Sequence, residues 1–289
     1  MELKTKETVK YLFIPLLIFI AAICILFLLK ESKFAKLELK SSNILLYNLT
    51  EDREEFSKKD KECVSPASLT KIMTVLVSIE NIEDKSKIVL VDKKSYQEMV
   101  ARNSSMAGFY GNEPVTYKDL LYGTMLTSGG ECANSLAIHI SGNVSEFVKL
   151  MNKKAKEIGM INTNFENPEG MDGENHYTTA EDIAKLLKYA LKNEDFKTIF
   201  TAKEYTSTST LDHPGGINIK STVLSKLDGY KQKNFRIIGG KSGTTEKAGH
   251  CWATLVEKED KEYICIVMGA TLKENEPQIK DTISIMNEV

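Results

Sequence analysis

Ser68 and Lys71 are the two residues of this sequence whose types and spacing most clearly allow chemistry. They lie three positions apart in the segment PASLTKIMT, residues 66–74. On an α-helix such positions are neighbours on one face, so the hydroxyl and the amine would lie side by side. A lysine in apolar surroundings or beside another cation can lose its proton near neutral pH. Its free amine could then deprotonate the serine hydroxyl and make that oxygen a nucleophile.

The residues around this pair predict the element that positions it. Ser65 and Pro66 are typical of a helix entry. Apolar side chains then recur at helical spacing, at Ile72, Val75, Leu76 and Ile79. We therefore expect a helix that starts around Ser68 and buries one apolar stripe. The spacing of serine and lysine is common by itself, so an ordinary solvated helix start is the alternative interpretation.

Two further short motifs carry hydroxyl, amine and glycine groups. Ser128 is followed by Gly129 and Gly130, between two segments that are predicted to be helical. The segment KSGTT, residues 241–245, follows an apolar predicted strand. Taken singly, the first motif indicates a glycine-rich turn between helices, and the second indicates an ordinary strand end.

The wider pattern predicts an α+β fold, because strand signals at both ends of the chain enclose a helical block. We expect strands at Ser42–Leu49, Lys87–Val91, Arg236–Gly240, His250–Glu257 and Glu262–Ala270. We expect helices at Tyr117–Leu126, Glu131–Ile140, Val144–Gly159, Thr179–Lys192 and Ile279–Met286, with Thr116 as an N-cap. The residues 50–60 should hold a hairpin and a second short strand. This order indicates a sheet domain that carries an inserted all-helical part.

Composition sets limits on the possible functions. The chain has 289 residues, of which 42% are hydrophobic and 27% charged, and its formal net charge is −2. That charge offers no electrostatic footprint for nucleic acid, so we predict no nucleic-acid partner. Four cysteines lie beyond the N-terminal region, at Cys63, Cys132, Cys251 and Cys265. They lack metal-ligand spacing, so no metal site is predicted. We expect buried free thiols, although the sequence leaves disulfide pairing open.

The N-terminus carries an uncharged run of 19 residues, Tyr11–Leu29. As a helix it would be about 28 Å long, close to the thickness of a bilayer's hydrocarbon core. We predict a transmembrane anchor at 11–29, after a cytoplasmic segment at 1–10 and before a lysine-rich tether at 30–40. Residues 41–289 would form the remaining domain. A cleaved signal peptide is the alternative, but its apolar core is usually shorter and no clear cleavage site follows. Lysines flank the run on both sides, so they do not decide its orientation.

Taken together and in this order, the three motifs resemble those of penicillin-binding proteins and class A β-lactamases. The chain is most similar to the low-molecular-mass serine D-Ala-D-Ala carboxypeptidases, from about residue 42 to residue 270. Further matching segments are DLLYG at 119–123, NPEGM at 167–171 and GKSGTTEKAG at 240–249. The resemblance implies a β-lactamase/transpeptidase-like fold, in which helices flank an antiparallel sheet and an all-helical subdomain is inserted.

The resemblance also implies an acyl-enzyme mechanism without a cofactor. Ser68 would attack the carbonyl between two D-alanines of a peptidoglycan stem peptide, with Lys71 as the general base. Ser128 would relay the proton to the departing D-alanine. The substrate would be a stem peptide or a lipid-linked precursor that ends in D-Ala-D-Ala. β-Lactam antibiotics, which mimic that end, should acylate Ser68.

The late strand would bind the substrate. The backbone N–H groups of Ser68 and Thr244 would form the oxyanion hole. Gly243, between Ser242 and Thr244, would also belong to the substrate-binding strand. Lys241 would add positive potential, and the hydroxyls of Ser242 and Thr244 would bind the terminal carboxylate.

Two positions depart from the family pattern. The second motif of the family usually ends in Asn, where this chain has Gly130. We expect the amide of Asn134, one helical turn further along, to take its place. The family also often has an arginine shortly after the last strand, where this chain has Lys273. Either Lys273 or Lys241 would then have to meet the substrate carboxylate.

Two other functions remain as alternatives to a D,D-carboxypeptidase. The first is a β-lactamase, because Glu166 lies in the 162–177 loop, where a β-lactamase keeps its deacylating carboxylate. The surrounding NPEGM segment favours the carboxypeptidase pattern, so we expect Glu166 to be an exposed loop acid. The second is a penicillin- or peptidoglycan-binding module that does not hydrolyse its ligand. The leading interpretation places a single-pass protein in the bacterial cell membrane, with its catalytic domain on the extracytoplasmic side.

Overall fold

A computed structural model describes residues 34–289, together with residues 15, 18 and 19. Most of the predicted anchor at 11–29 therefore lies outside the described residues. Among the residues that are described, no helix is both long and apolar enough to cross a bilayer. Residues 34–40 of the predicted tether lie against the folded domain, since Phe34 is buried and its ring stacks on Phe56 with centroids 4.6 Å apart.

A five-stranded antiparallel sheet forms the centre of the fold, with the strand order β2-β1-β9-β8-β7. Its strands are β1 (Asn43–Asn48), β2 (Arg53–Lys58), β7 (Arg236–Thr245), β8 (Gly249–Lys258) and β9 (Lys261–Ala270). Two small hairpins lie outside it, β3 (Ile88–Leu90) with β4 (Pro114–Thr116), and β5 (Glu204–Thr206) with β6 (Asn218–Lys220). All five strands that the sequence predicted with defined bounds are present, and β2 is the second short strand expected within residues 50–60. Strand β7 continues five residues beyond its predicted end.

Both faces of the sheet are covered by helices because its strands are apolar on both sides. Leu45 and Ile266 point into the core shared with the helical block, whereas Ile44 and Val267 point into a second core. This alternation follows from the period of two along a strand. The second core is closed by the C-terminal helix, Pro277–Glu288.

The helical block lies between β2 and β5 in the sequence, apart from the small hairpin β3–β4. Its helices are α1 (Thr70–Asn81), α2 (Lys93–Ala101), α3 (Tyr117–Leu126), α4 (Gly130–Ser141), α5 (Val144–Glu157), α6 (Ala180–Ala190) and α7 (Glu194–Thr201), and the C-terminal helix is α8. Thr116 caps α3 as predicted, within a capping box completed by Asp119. The sequence predicted neither α2 nor α7.

Helix α1 is the helix on which the others pack. It contacts α3, α4, α5, α6 and α7, and its residues 70–79 are buried on every side. A helix that is buried all round belongs to the interior of a domain. The prediction of a single buried stripe therefore understated its burial. Because α1 is held from every direction, the side chains at its N-terminus are fixed in position.

Strand β7 runs very close to the turn that precedes α1. A Cβ atom added to Gly243 would lie 2.7 Å from the Ser68 nitrogen and 3.0 Å from Ala67 Cβ. Real Cβ atoms do not approach backbone nitrogen so closely, so any side chain here would push the strand and the turn apart. Gly243 thus fixes the distance between Ser68 and the strand that carries the KSGTT motif.

We predict that Gly243→Ala lowers the free energy of unfolding by about 1–3 kcal/mol, the usual range for overpacking in a dense region. It should also slow acylation of Ser68, because the strand must move away from that residue. Urea denaturation and the rate of labelling by a fluorescent penicillin would measure the two effects. Gly215→Ala is the control, because a Cβ there meets nothing within 4 Å. Equal behaviour of the two variants would contradict the prediction.

Candidate active site

Ser68 lies in a short 3-10 turn, Ala67–Leu69, that leads directly into α1. Ala67 has a φ of +47°, in the left-handed region that side chains other than glycine rarely adopt. The Thr70 hydroxyl donates to the Ala67 carbonyl at 2.8 Å and so holds this conformation. The predicted helix start near Ser68 is confirmed, with the serine one turn ahead of the regular α-helix.

Lys71 is only 3% exposed, and its ammonium donates to two oxygens. One is Ser68 Oγ, at 3.3 Å from Lys71 Nζ, and the other is the backbone carbonyl of Glu169. Burial lowers the pKa of Lys71 to about 8, against an opposing effect of the Glu169 charge. A substantial share of this lysine is therefore a free amine at neutral to mildly alkaline pH, within reach of the serine hydroxyl.

Lys241 is a second buried amine, and its Nζ donates to the Ser242 carbonyl at 2.7 Å. Burial and the charge of Lys71 together lower its pKa well below the ordinary lysine value. Two ammonium groups so near one another repel, which favours loss of a proton. The neighbouring hydroxyls on β7 are also held in place, since Ser242 Oγ lies 3.1 Å from Thr222 Oγ1 and Thr244 Oγ1 lies 3.0 Å from His250 Nδ1.

Ser128 occupies the loop between α3 and α4 with a φ of +64°. Its side chain is buried, and its Oγ has no hydrogen-bond partner among the described residues. The loop itself is fixed, because Gly129 N–H donates to the Gly123 carbonyl and Gly130 N–H donates to the Ser105 carbonyl, both at 2.9 Å. A buried hydroxyl without a partner is unusual. Ser128 does not itself line the cleft that contains Ser68 and Lys71.

These elements enclose a cleft of about 190 Å³. Of the residues predicted from the sequence, Ser68, Lys71 and Thr244 line it, and Gly130 contributes to its wall. Glu169 also lines it, although sequence reasoning gave this residue no role. No group of three or more His, Cys, Asp or Glu side chains within residues 34–289 could hold a metal ion.

Asn134 lies beside this cleft rather than in its lining. Its side-chain amide donates to the Gly130 carbonyl at 3.2 Å, within α4, and its side chain lines a neighbouring cavity. A Cβ on Gly130 would lie 2.7 Å from the Met99 sulfur, so Met99 fills the space that a side chain at position 130 would enter. Whether Asn134 replaces the missing amide stays a prediction. Lys273 is exposed and likewise does not line the cleft.

The segment 166–176 forms one wall of the cleft, and sequence reasoning missed most of its part in the site. Gly170, at a φ of +85°, packs so closely on Ala67 that a Cβ would lie 2.1 Å from the Ala67 carbonyl oxygen. Asn167 Oδ1 accepts from the Gly170 and Met171 N–H groups and shapes this turn. The NPEGM pattern was the available signal. Glu166 is exposed, as expected.

His176 stabilises the turn that carries Ser68. Its Nδ1 accepts from the Glu166 N–H at 2.9 Å, so its Nε2 carries the proton and donates to Thr70 Oγ1 at 2.8 Å. Burial lowers the pKa of His176 to about 4, so the ring is neutral. The ring thus stabilises the Thr70 hydroxyl that in turn holds Ala67. It contacts neither Ser68 nor Lys71 through a hydrogen bond.

Comparison with solved structures first defines the class of fold. The Streptomyces K15 DD-transpeptidase aligns with a TM-score of 0.77 at 26% identity, over 88% of this chain and 98% of that chain. A second crystal structure, a serine-to-alanine variant of the same enzyme, aligns with a TM-score of 0.79 at 27% identity. The antiparallel sheet with flanking helices is therefore a transpeptidase fold, which confirms the predicted class of the folded domain.

Comparison of sequences then gives the family. The D-alanyl-D-alanine carboxypeptidase family, peptidase family S11, matches residues 31–272, so the chain belongs to this family. D-alanyl-D-alanine carboxypeptidase DacF of Bacillus subtilis is 34% identical over 86% of this chain, which spans 60% of that relative's length. The D-alanyl-D-alanine carboxypeptidase of Streptomyces sp. strain K15 is 30% identical over 72% of this chain and 73% of its own length.

The lowered pKa of Lys71 predicts how acylation depends on pH. Only the free amine accepts a proton, so the rate of acylation by a labelled penicillin should fall about tenfold per pH unit below pH 8 and level off above it. Lys71→Arg is the control, because a guanidinium keeps its proton throughout and should not support acylation at any pH. A midpoint near about 6.5, the ordinary value for histidine, would contradict the assignment to Lys71.

Proposed function

We propose that this protein is a serine D-Ala-D-Ala carboxypeptidase that removes the terminal D-alanine from peptidoglycan stem peptides. The observation that carries the proposal is the Lys71 amine, buried and 3.3 Å from Ser68 Oγ, in a cleft bordered by the KSGTT strand. Family membership supports the same chemistry. The substrate is a stem peptide or lipid-linked precursor ending in D-Ala-D-Ala.

The first half of the reaction forms an acyl-enzyme. The free amine of Lys71 takes the Ser68 proton, and Ser68 Oγ bonds to the carbonyl carbon between the two D-alanines. The carbonyl oxygen becomes negatively charged and is stabilised by the N–H groups of Ser68 and Thr244. This pairing is supported by the close approach of β7 to the Ser68 nitrogen at Gly243. Strand β7 is an edge strand, so an extended peptide can lie along it.

The second half releases both products. The amide C–N bond breaks as the departing nitrogen receives a proton, which Ser128 Oγ relays from the Lys71 ammonium. The partnerless Ser128 hydroxyl supports this role. The hydroxyls of Ser242 and Thr244 hold the carboxylate of the departing D-alanine, and Lys241 adds positive potential. Water then attacks the ester carbonyl, and Ser68 Oγ regains its proton as the shortened peptide leaves.

Replacing the nucleophile tests this proposal. Ser68→Ala removes the only oxygen that can carry the acyl group, so D-alanine release from a diacetyl-lysyl-D-Ala-D-Ala peptide should fall at least about a thousandfold. Labelling by a fluorescent penicillin should disappear as well. Ser209→Ala, at an exposed loop position, is the control and should match the unmodified chain in both assays. Undiminished D-alanine release from Ser68→Ala would overturn the mechanism.

The same two assays separate the remaining functions. Released D-alanine with a lasting penicilloyl adduct on Ser68 is the carboxypeptidase result. Rapid hydrolysis of penicillin without D-alanine release would instead identify a β-lactamase. An adduct without release of either product would identify a binding module. Glu166 does not support the β-lactamase alternative, because its side chain is exposed and does not line the cleft.

We also propose that residues 11–29 anchor the protein in the bacterial cell membrane as a single pass. Residues 1–10 would lie in the cytoplasm, and the catalytic domain at 41–289 would lie on the extracytoplasmic side, linked through residues 30–40. This organisation is supported by the 19-residue uncharged run and by the location of peptidoglycan outside the cytoplasm.

Membrane extraction tests the anchor. The whole chain should stay with the membrane pellet in alkaline carbonate. A double variant, Ile20→Arg with Ile23→Arg, should move to the soluble fraction, because each arginine at a helix centre costs about 3 kcal/mol of insertion free energy. Lys36→Arg, which keeps the charge of the tether, is the control and should leave the distribution unchanged. Recovery of the unmodified chain in the soluble fraction would contradict the proposal.

A further inference from the structure

The side chain of Glu169 is a buried carboxyl that the proposed reaction does not use. The residue is 7% exposed, and its Oε2 is buried without a hydrogen-bond partner among the described residues. It forms no ion pair within residues 34–289. Burial raises the pKa of Glu169, and the charges of Lys71 and Arg102 oppose this rise. Buried carboxyl oxygens normally have partners, because desolvation without one is costly. An unpaired carboxyl oxygen on a residue that lines a reaction cleft is therefore suited to a ligand.

The position of Glu169 shows which part of a substrate it would meet. The carboxylate of the departing D-alanine is assigned to Ser242 and Thr244 beside Lys241. Of these three residues only Thr244, whose backbone N–H also belongs to the proposed oxyanion hole, lines the cavity that contains Ser68 and Glu169. This cavity is also bounded by Gly130 and the 102–105 segment. It consequently receives the acyl part of the peptide, which continues from the carbonyl attacked by Ser68 toward the peptide's N-terminus.

A second cavity lies beside the cleft at this point. It has a volume of about 490 Å³ and shares two lining residues with the cleft, Glu169 and Arg102. These two side chains therefore lie between the cavities. The residue that precedes D-Ala-D-Ala lies one peptide unit beyond the acylated alanine, and a side chain of four or five atoms on that residue reaches the wall of such a cleft.

We propose that Glu169 is a specificity residue, whose carboxylate binds a free primary amine on the side chain of the residue preceding D-Ala-D-Ala. The inference rests on the proposed function and names the substrate class of that site. An ammonium suits the unpaired Oε2 because it can donate to it, and a hydrogen bond from Asn134 also stabilises the charged carboxyl.

The two nearby cations do not already satisfy this carboxylate. Lys71 directs its donors to Ser68 Oγ and to the backbone carbonyl of Glu169. The guanidinium of Arg102 directs an N–H to the sulfur of Met171 at 3.6 Å. An incoming ammonium would also offset the Glu169 charge, which otherwise raises the pKa of Lys71. Binding of the correct side chain would thus favour the free amine that acylation needs.

The test compares two peptides on the whole chain. One is Nα-acetyl-lysyl-D-Ala-D-Ala, with a free side-chain amine, and the other carries an acetyl group on that amine as well. The ratio of their kcat/KM values, from D-alanine release, should be about tenfold in favour of the free amine, the factor that one charge-assisted hydrogen bond provides. Glu169→Gln, which is similar in size but uncharged, should bring the ratio close to one. The ratio isolates the side-chain amine from any general loss of activity.

Two further variants complete the design. Glu166→Gln changes an exposed carboxyl in the same loop and should keep the tenfold ratio. Glu169→Asp keeps the charge on a shorter side chain and should keep a ratio above one. This variant tests the proposed subsite if Glu169→Gln does not fold. Equal use of both peptides by the unmodified chain, or an unchanged ratio in Glu169→Gln, would overturn the subsite alone. Absence of D-alanine release from either peptide would overturn the proposed function, and the subsite with it.

Discussion

The structure depends on a buried amine that must remain able to lose its proton. Placing the Lys71 ammonium in the interior costs several kcal/mol of solvation, and the protein recovers only part of this through the Glu169 carbonyl and the Ser68 hydroxyl. The resulting fall in pKa is what makes the lysine a base. A helix that is packed on all sides is needed to hold the amine there, since on a surface helix it would turn toward water.

The turn that presents Ser68 is supported from two directions. Strand β7 approaches it at Gly243, and the 166–176 segment approaches it at Gly170, in both cases more closely than a side chain would allow. His176 and Thr70 hold the unusual backbone of Ala67 through neutral hydrogen bonds. Asp172 joins these supports, because its Oδ1 accepts from Ser65 Oγ and from Thr245 Oγ1. The nucleophile is therefore positioned by contacts among distant parts of the sequence.

The sequence allowed the sheet, most helices and the pairing of Ser68 with Lys71 to be predicted, because these follow from local periodicity and ordered motifs. Helix α2 was missed because only Ser95 and Met99 are buried in it, so it has no apolar stripe to detect. Glu169 was missed for a different reason. Its surroundings include Lys71, Arg102 and Asn134, which lie far from it in the sequence, and no local pattern contains such contacts. The space around Gly130 was equally hidden, since it depends on Met99 from another helix.

The contact between Met99 and Gly130 has a consequence for how this site can change over time. The methionine sulfur lies where the first side-chain carbon of residue 130 would be, so the two positions are not independent. A larger residue at 130 is compatible with the fold only after the methionine has become smaller or has moved to another rotamer. A substitution that makes residue 99 smaller can therefore precede one that enlarges residue 130, whereas the reverse order is obstructed. The Met99 thioether thus limits which substitutions at position 130 can arise first.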